Sequence, residues 1–415
     1  MKLVDQKNLI ASVDIRSGPG VFYEWQGRLF EGAQITILNR DEGWVQISSG
    51  ETSGWIPDYP ELFNGGVENE SSENDFEERQ RSIYSIFGEE DENGDYSDGY
   101  ASPTQVAAAV RGFSRQYSVD RSGGSDPVID LDPYRKVDPR EYRDFKRERI
   151  GRWSRNRAQR RFAISNSDVP VVDHNYESVG WAAAKRLAAE GIVQNRDFQE
   201  YLYMLGLLVT ESSHRYETPL NIYLLEKNGF AGYSTPAGVI FITNDAIELM
   251  QSEAELVFFI AHELAHILFR HGIREMEERD VHIRRDEAFE ELRQLLGDED
   301  DEYRRVSNEL SEWADQVYEY LVSERLNEYE YEADYWALVY MYRLGYNPES
   351  ALRLLQRIQI MEGDFEYEIG SLEWEGATLE SRIEKIKNVF DRYPHLLEEG
   401  IINSEIFESK KRLLN

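Results

Sequence analysis

Hydrophobic positions change their spacing three times along the chain. Between residues 8 and 63 they come in short runs, Ile10 to Ile15, Gln34 to Leu38, Trp44 to Ile47 and Trp55-Ile56, punctuated by Ser17-Gly18-Pro19-Gly20 and Gly54. Strands this short and this closely spaced predict a small all-β barrel. From Gly65 to about Asp130 aliphatic residues thin out among Glu, Asp, Asn, Ser and Gly, and such a tract buries too little to offset the entropy of ordering. A disordered linker is expected there, with one amphipathic helix over Ser102–Tyr117 that carries Val106, Ala109, Val110 and Phe113 on a face. Beyond about Phe162 the spacing becomes helical over Glu177–Glu190 and Asp197–Ser212, gives two strand-like runs at Asn221–Leu225 and Val239–Thr243, and is helical again afterwards. The pattern is multidomain: a barrel over residues 1–64, a linker over 65–160 that is acidic and then basic, and a mainly helical α+β domain over 161–405.

Charge narrows the choice of partners. The chain of 415 residues has 46 basic and 79 acidic side chains, a formal charge of -33, and would repel nucleic-acid phosphates over most of its surface. No nucleic acid is expected as a ligand. Residues 135–161 reverse the balance with twelve Arg or Lys against four acids, and are expected to form a helix lying against the acidic body of the same protein. No apolar run is long enough to span a bilayer, and residues 1–20 contain no stretch resembling a secretion signal. With no cysteine in the chain, a bound metal would have to be held by His, Asp or Glu.

One segment concentrates chemistry. Ser252-Glu253-Ala254-Glu255 has the form of a capping box, so a helix should start near residue 253 and run through LVFFIAHELAHILFRH to a stop at Gly272. That helix is apolar nearly all round, and its only polar interior residues are His262, Glu263 and His266. Histidines four apart lie on one helical face and can share one zinc ion, while Glu263, turned by about 100°, reaches a water rather than the metal. A catalytic zinc needs a third protein ligand. Phe269 and Gly272 stand where a metzincin has Gly and His, so the third ligand must come from elsewhere. In LNEYEYEADYWALVYMYRLGYNP, Leu326, Ala333, Ala337, Met341 and Leu344 share a face with Glu330, whereas Glu328 and Glu332 point away. Glu330 is the expected ligand, and Asp334, one turn on, is placed to accept the second N–H of a ligating histidine.

The string VDIRSGPGVFYEW, followed by GWVQI and SGWIP, resembles the bacterial SH3-like domain over about sixty residues. Such a domain implies a targeting or substrate-presenting module, with Tyr23, Trp25, Trp44 and Trp55 as candidate ligand contacts and cell-envelope material or a protein segment as the ligand. HELAH, ILFRH and EYEAD together resemble the zinc peptidase family of HtpX, the mitochondrial Oma peptidases and the CAAX prenyl proteases, and NGFAGYSTPAGVIFITNDAIELM is similar to its edge-strand segment. This resemblance spans about residues 175 to 390 and implies a zincin-type domain with one zinc ion, in which the first Glu of ExxxD, Glu330, is a ligand. His271 matches a family histidine, and its place at the helix end favours capping or packing. Arg382 matches a family arginine, although GATLESRI lacks the Thr-His-Pro segment that often precedes it.

The implied function is a zinc-dependent endopeptidase acting on polypeptides with Glu263 as general base, in protein quality control or envelope maintenance. An extended substrate is expected along the Val239–Thr243 strand. The alternative is a non-enzymatic, chaperone-like binding protein with a structural zinc. The domain pairing and the lack of cysteine favour the bacterial cell envelope with a leader removed; a complete chain would favour the cytoplasm.

Overall fold

The computed structural model describes residues 5–50, 52–63, 137–165, 191–218, 220–272, 327–362 and 378–414, with single positions 169, 180, 183, 184, 187, 188 and 274. The Ser102–Tyr117 helix and the greater part of the Glu177–Glu190 helix lie outside them.

Six strands build the N-terminal barrel: β1 (Asp5–Asn8), β2 (Val13–Arg16), β3 (Trp25–Leu29), β4 (Gln34–Asp41), β5 (Trp44–Ser49) and β6 (Thr52–Pro57). They form one antiparallel sheet in the order β1-β4-β5-β6-β2-β3. Alternation along the strands buries Ile15, Ile35, Val45, Ile47 and Ile56 almost completely. Leu38 falls on the opposite face from Ile35 and is exposed despite its place in an apolar run, at a register shift between Ile37 and Asn39.

The second part is mainly helical, as the chain's periodicity predicts. Among the described residues its helices are α1 (Pro139–Ile150), α2 (Arg155–Arg161), α3 (Arg196–Ser212), α4 (Asn244–Leu249), α5 (Glu253–Leu268), α6 (Asn327–Leu344), α7 (Glu349–Glu362), α8 (Leu379–Arg392) and α9 (Ser404–Lys411). Three strands, β7 (Asn221–Leu225), β8 (Gly232–Thr235) and β9 (Val239–Thr243), form a sheet in the order β7-β9-β8. β9 is central, parallel to β7 and antiparallel to β8, and all five of its residues are buried. Among the described residues the edges are β7 and β8, which corrects the placement of an edge at Val239–Thr243, and β8 is the edge that lies against α5.

α5 runs through the middle of this domain, with every residue but Ile267 buried. Leu256, Val257, Ile260 and Leu264 pack in one core with Leu205 and Leu208 of α3, Ala337 and Leu338 of α6, Leu354 of α7 and Ile386 of α8. Each such side chain contributes about 1.5–3 kcal/mol on full burial, enough together to offset the desolvation of polar groups on the same helix. Its N-terminus is pinned: Ser252 Oγ accepts from Glu255 N at 3.2 Å, and Glu255 Oε2 accepts from Gln251 N at 2.8 Å. Glu253, fully buried, accepts from Arg149 of α1 at 3.1 Å, Tyr201 of α3 at 3.0 Å, Tyr346 at 2.6 Å and Asn403 at 2.7 Å. One carboxylate thus joins the start of α5 to four other parts of the chain.

The barrel does not stand apart. Its core residues form one cluster with Tyr142 of α1, Tyr203, Met204 and Leu207 of α3, and Tyr216. Phe22 packs on Tyr142 at 4.6 Å between ring centroids, and Trp44 meets Tyr216 edge-on at 5.8 Å. Across the same junction Tyr216 donates to the Gly43 carbonyl, Tyr59 donates to Glu217, and Arg215 Nη1 donates to Glu61 Oε1 at 3.1 Å. Gly43 has φ +92, and a Cβ there would stand 2.9 Å from the Tyr216 hydroxyl, so both the turn and the close approach require glycine. Phe63, at the end of the barrel, and Val137, ahead of α1, both pack in this cluster. The basic helices α1 and α2 lie against acidic and aromatic groups, with Lys146 on Glu211 at 2.6 Å and the Arg155 guanidinium over the Tyr216 ring at 3.4 Å.

Candidate active site

The i, i+4 spacing on α5 turns His262 and His266 toward α6, where Glu330 meets both. His262 Nε2 lies 3.1 Å from Glu330 Oε2, His266 Nε2 lies 3.2 Å from Glu330 Oε1, and the two Nε2 atoms are 3.0 Å apart. All three residues are buried, and among the described residues they form the one group of His, Asp or Glu side chains able to hold a metal ion. Two ligands at about 2.1 Å from a shared tetrahedral ion would stand about 3.4 Å apart, so the spacing suits zinc.

The atoms behind this trio determine its character. His262 Nδ1 lies 3.0 Å from Asp334 Oδ1, and an ionised carboxylate can only accept, so this histidine carries its proton on Nδ1 when neutral. Its Nε2 then offers a bare lone pair to the centre. Arg382 clamps Asp334 from the far side with Nε to Oδ2 at 2.8 Å and Nη2 to Oδ1 at 2.6 Å, and its Nη1 stands 3.4 Å from Glu330 Oε2. Burial opposes protonation of His262, but Glu330 and the hydrogen bonds to Asp334 and Glu330 outweigh it and raise its pKa to about 9. For Glu330 burial likewise opposes charge, and the two histidines overcome it and hold the carboxyl well below its ordinary range. Burial also works against the charge of Arg382, and Asp334 followed by Glu330 and Glu263 keeps it firmly protonated. Without a metal the raised pKa leaves His262 protonated and donating to Glu330, and a divalent cation bound there would take the place of that proton, with two imidazole lone pairs and a carboxylate as its ligands.

Glu263, on the next face of α5, is buried beside the edge strand. A Cβ at Gly232 of β8 would come within 2.7 Å of Glu263 Oε1 and 2.5 Å of the Phe259 ring, so the absence of a side chain lets β8 run directly past this carboxylate.

Two expectations from helical geometry need correction. Glu332 does not face outward: it is fully buried, with Oε2 3.1 Å from His271 Nε2 and 3.8 Å from Arg274 Nη1. The reason is that α6 has no outward side, since every residue from Tyr329 to Tyr346 is buried. α5 also stops earlier than Gly272. It ends at Leu268 with Phe269 as C-cap, and Arg270 takes the left-handed conformation, φ 57, that glycine was expected to supply. That turn carries His271 back under the helix, fully buried, with Nδ1 2.8 Å from His266 Nδ1.

In the barrel, Trp44 is buried in the junction with Tyr216, while Tyr23, Trp25 and Trp55 are half-buried. Trp44 is thus a packing residue rather than a ligand contact.

Residues 198–398 match the model of peptidase family M48, and residues 11–60 match that of the bacterial SH3 domain. A curated relative, "Putative beta-barrel assembly-enhancing protease" of Vibrio cholerae, is 28% identical over 87 residues, which cover 21% of this chain and 18% of that protein. Another, "Putative N-acetylmuramoyl-L-alanine amidase YrvJ" of Bacillus subtilis, is 37% identical over 62 residues, covering 15% of this chain and 12% of that protein. The chain therefore spans less than a fifth of the length of either relative. With the buried His-His-Glu cluster inside the first match and the six-stranded barrel around the second, the chain carries a metallopeptidase domain of family M48 behind an N-terminal bacterial SH3 domain.

Proposed function

We propose that the chain is a zinc-dependent endopeptidase in which His262, His266 and Glu330 hold the ion and Glu263 is the general base. The observation that carries this is the convergence of three buried ligand side chains, whose facing atoms meet pairwise at 3.0–3.2 Å, beside a second buried carboxylate, Glu263. A zinc ion held there supplies Lewis acidity, acidifying water and polarising the scissile carbonyl. Glu263 accepts the proton of the attacking water at its carboxylate and delivers it to the leaving amine. Asp334, clamped by Arg382, keeps the His262 proton on Nδ1 and the ring in place.

The substrate class is polypeptide. Among the described residues β8 pairs with β9 alone, and Gly232 opens its backbone toward Glu263, so an extended segment added to its other side lies across the base. Among the described residues no helix is long and apolar enough to cross a membrane. The names of the two relatives refer to a muramoyl-alanine bond and to β-barrel assembly, both features of bacterial envelopes, which supports a role in envelope protein maintenance with the SH3 domain binding envelope material or a protein segment.

The deciding experiment measures zinc content and casein cleavage for the wild type and Glu263→Gln. The amide keeps the shape of the carboxylate and cannot take a proton, so the variant should retain zinc and lose hydrolysis. Activity within tenfold of wild type would remove Glu263 from the mechanism, and a zinc-loaded wild type that cleaves no peptide would favour the chaperone-like alternative.

A further inference from the structure

The two histidines of the centre are supported differently. Behind His262 stands a carboxylate, Asp334; behind His266 stands another imidazole, His271, with Glu332 behind that. We propose that His271 is a positioning residue for His266, a proton relay of fixed direction that presents His266 Nε2 to the metal as a lone pair. This rests on the zinc site proposed above.

The direction of the relay follows from its outer end. Glu332 Oε2 lies 3.1 Å from His271 Nε2, and a carboxylate held near Arg274 accepts and does not donate, so the His271 proton belongs on Nε2. Neutral His271 then has an acceptor at Nδ1. That atom lies 2.8 Å from His266 Nδ1, which must be the donor, and His266 Nε2 is left without a proton. Two groups in sequence, Glu332 and His271, thus impose on His266 the tautomer that Asp334 imposes on His262 directly. The Glu332 charge at the far end also makes His266 a more basic ligand.

Geometry separates this role from the capping expected of a histidine at a helix end. A cap would face the final carbonyls of α5, yet the two ring nitrogens of His271 face His266 and Glu332. The ring is held flat against Tyr329 at 4.6 Å between centroids and 16° between planes. To bring it there the chain accepts a left-handed Arg270, a conformation that costs a residue other than glycine about 1 kcal/mol. Both His271 and Glu332 are fully buried, so neither is placed by contact with water.

The test uses the full chain and zinc itself. In protein labelled with 15N-histidine and loaded with zinc, two-bond 1H–15N correlations should show His266 protonated on Nδ1 and His271 on Nε2. A His271 proton on Nδ1, or on both nitrogens, overturns the proposal. Zinc affinity, measured by competition with a chromophoric chelator, gives a second readout. His271→Phe keeps a flat ring against Tyr329 and removes the acceptor, and should weaken zinc binding roughly 10 to 100 fold, read on protein shown to be folded because the buried Glu332 carboxylate also loses the His271 donor and the zinc-free melting curve falls. His271→Asn, whose Oδ1 can stand in for Nδ1, should recover affinity to within roughly tenfold of wild type. Wild-type affinity in His271→Phe, or no recovery in His271→Asn, reduces His271 to packing. A wild type that takes up no zinc sinks the metal site itself and the relay with it.

Discussion

The seam between α5 and α6 and the junction of the barrel with α3 both bury ionisable groups, and the groups are arranged in opposite ways. At the junction donors meet acceptors pair by pair: Arg215 with Glu61, Tyr59 with Glu217, Tyr216 with the Gly43 carbonyl. In the seam the acceptors face one another. His262, His266 and Glu330 aim at a common point, and the proton-bearing atoms of the rings are turned away toward Asp334 and His271. Complementary pairs need nothing more, whereas converging lone pairs need a cation. Buried charge alone does not separate a site from a structural interface; the direction of the lone pairs does.

The sharpest way to break this contrast is to remove one converging acceptor. Glu330→Ala should lose most of its zinc, with affinity down more than about 100 fold, beyond the range for residues that only orient a ligand. Metal content by mass spectrometry after dialysis decides it, and a full equivalent of zinc in the variant would show that the acceptors do not act as a set. At the junction the largest effect should be on stability instead. Trp44→Ala, which empties a buried indole site beside Tyr216, is expected to cost about 3–5 kcal/mol in urea unfolding while leaving zinc content unchanged. A loss below about 1 kcal/mol would mean that the barrel merely leans on α3. Back in the seam, Arg382→Leu leaves Asp334 without its clamp and should weaken zinc about tenfold, read by chelator competition. Smallest of all, Tyr216→Phe keeps both ring contacts and loses only the hydroxyl donated to Gly43, for about 1 kcal/mol. An equal loss of zinc in Tyr216→Phe would tie the junction to the site and erase the distinction.

What could be read from the chain follows the range of the interactions involved. His262, Glu263 and His266 were legible because four residues make one helical turn, and Glu330 because an acidic residue among Ala333, Ala337 and Met341 stands out. Glu332 was not, since periodicity assigns faces only when a helix has a wet side, and α6 has none. Left-handed Arg270 escaped because glycine is the usual signal for such a turn. Periodicity missed β8, because Gly-Tyr-Ser-Thr shows no apolar alternation, although these residues lie within the segment that resembles a family edge strand. The barrel's order of turns and Gly-Trp strand starts was clear. Its junction was not, because Gly43 and Tyr216 are 173 positions apart, and a tryptophan such as Trp44 has the same pattern whether it serves a core, a ligand or a neighbouring domain.

The return of the chain to the barrel at Val137 changes what residues 64–136 connect. Phe63 and Val137 sit in the same aromatic cluster, so these seventy-three residues leave one surface and come back to it. Because both flanking residues are held in that cluster, the length of the connection sets no distance between the barrel and the peptidase domain. Doubling the length of a flexible connection costs only about 0.6 kcal/mol in closure entropy, so insertions there are expected to leave the arrangement of the two domains intact. A protease cut between Phe63 and Val137 would part the chain without parting the protein, since Trp44, Tyr59 and Glu61 on one piece remain bound to Arg215, Tyr216 and Glu217 on the other.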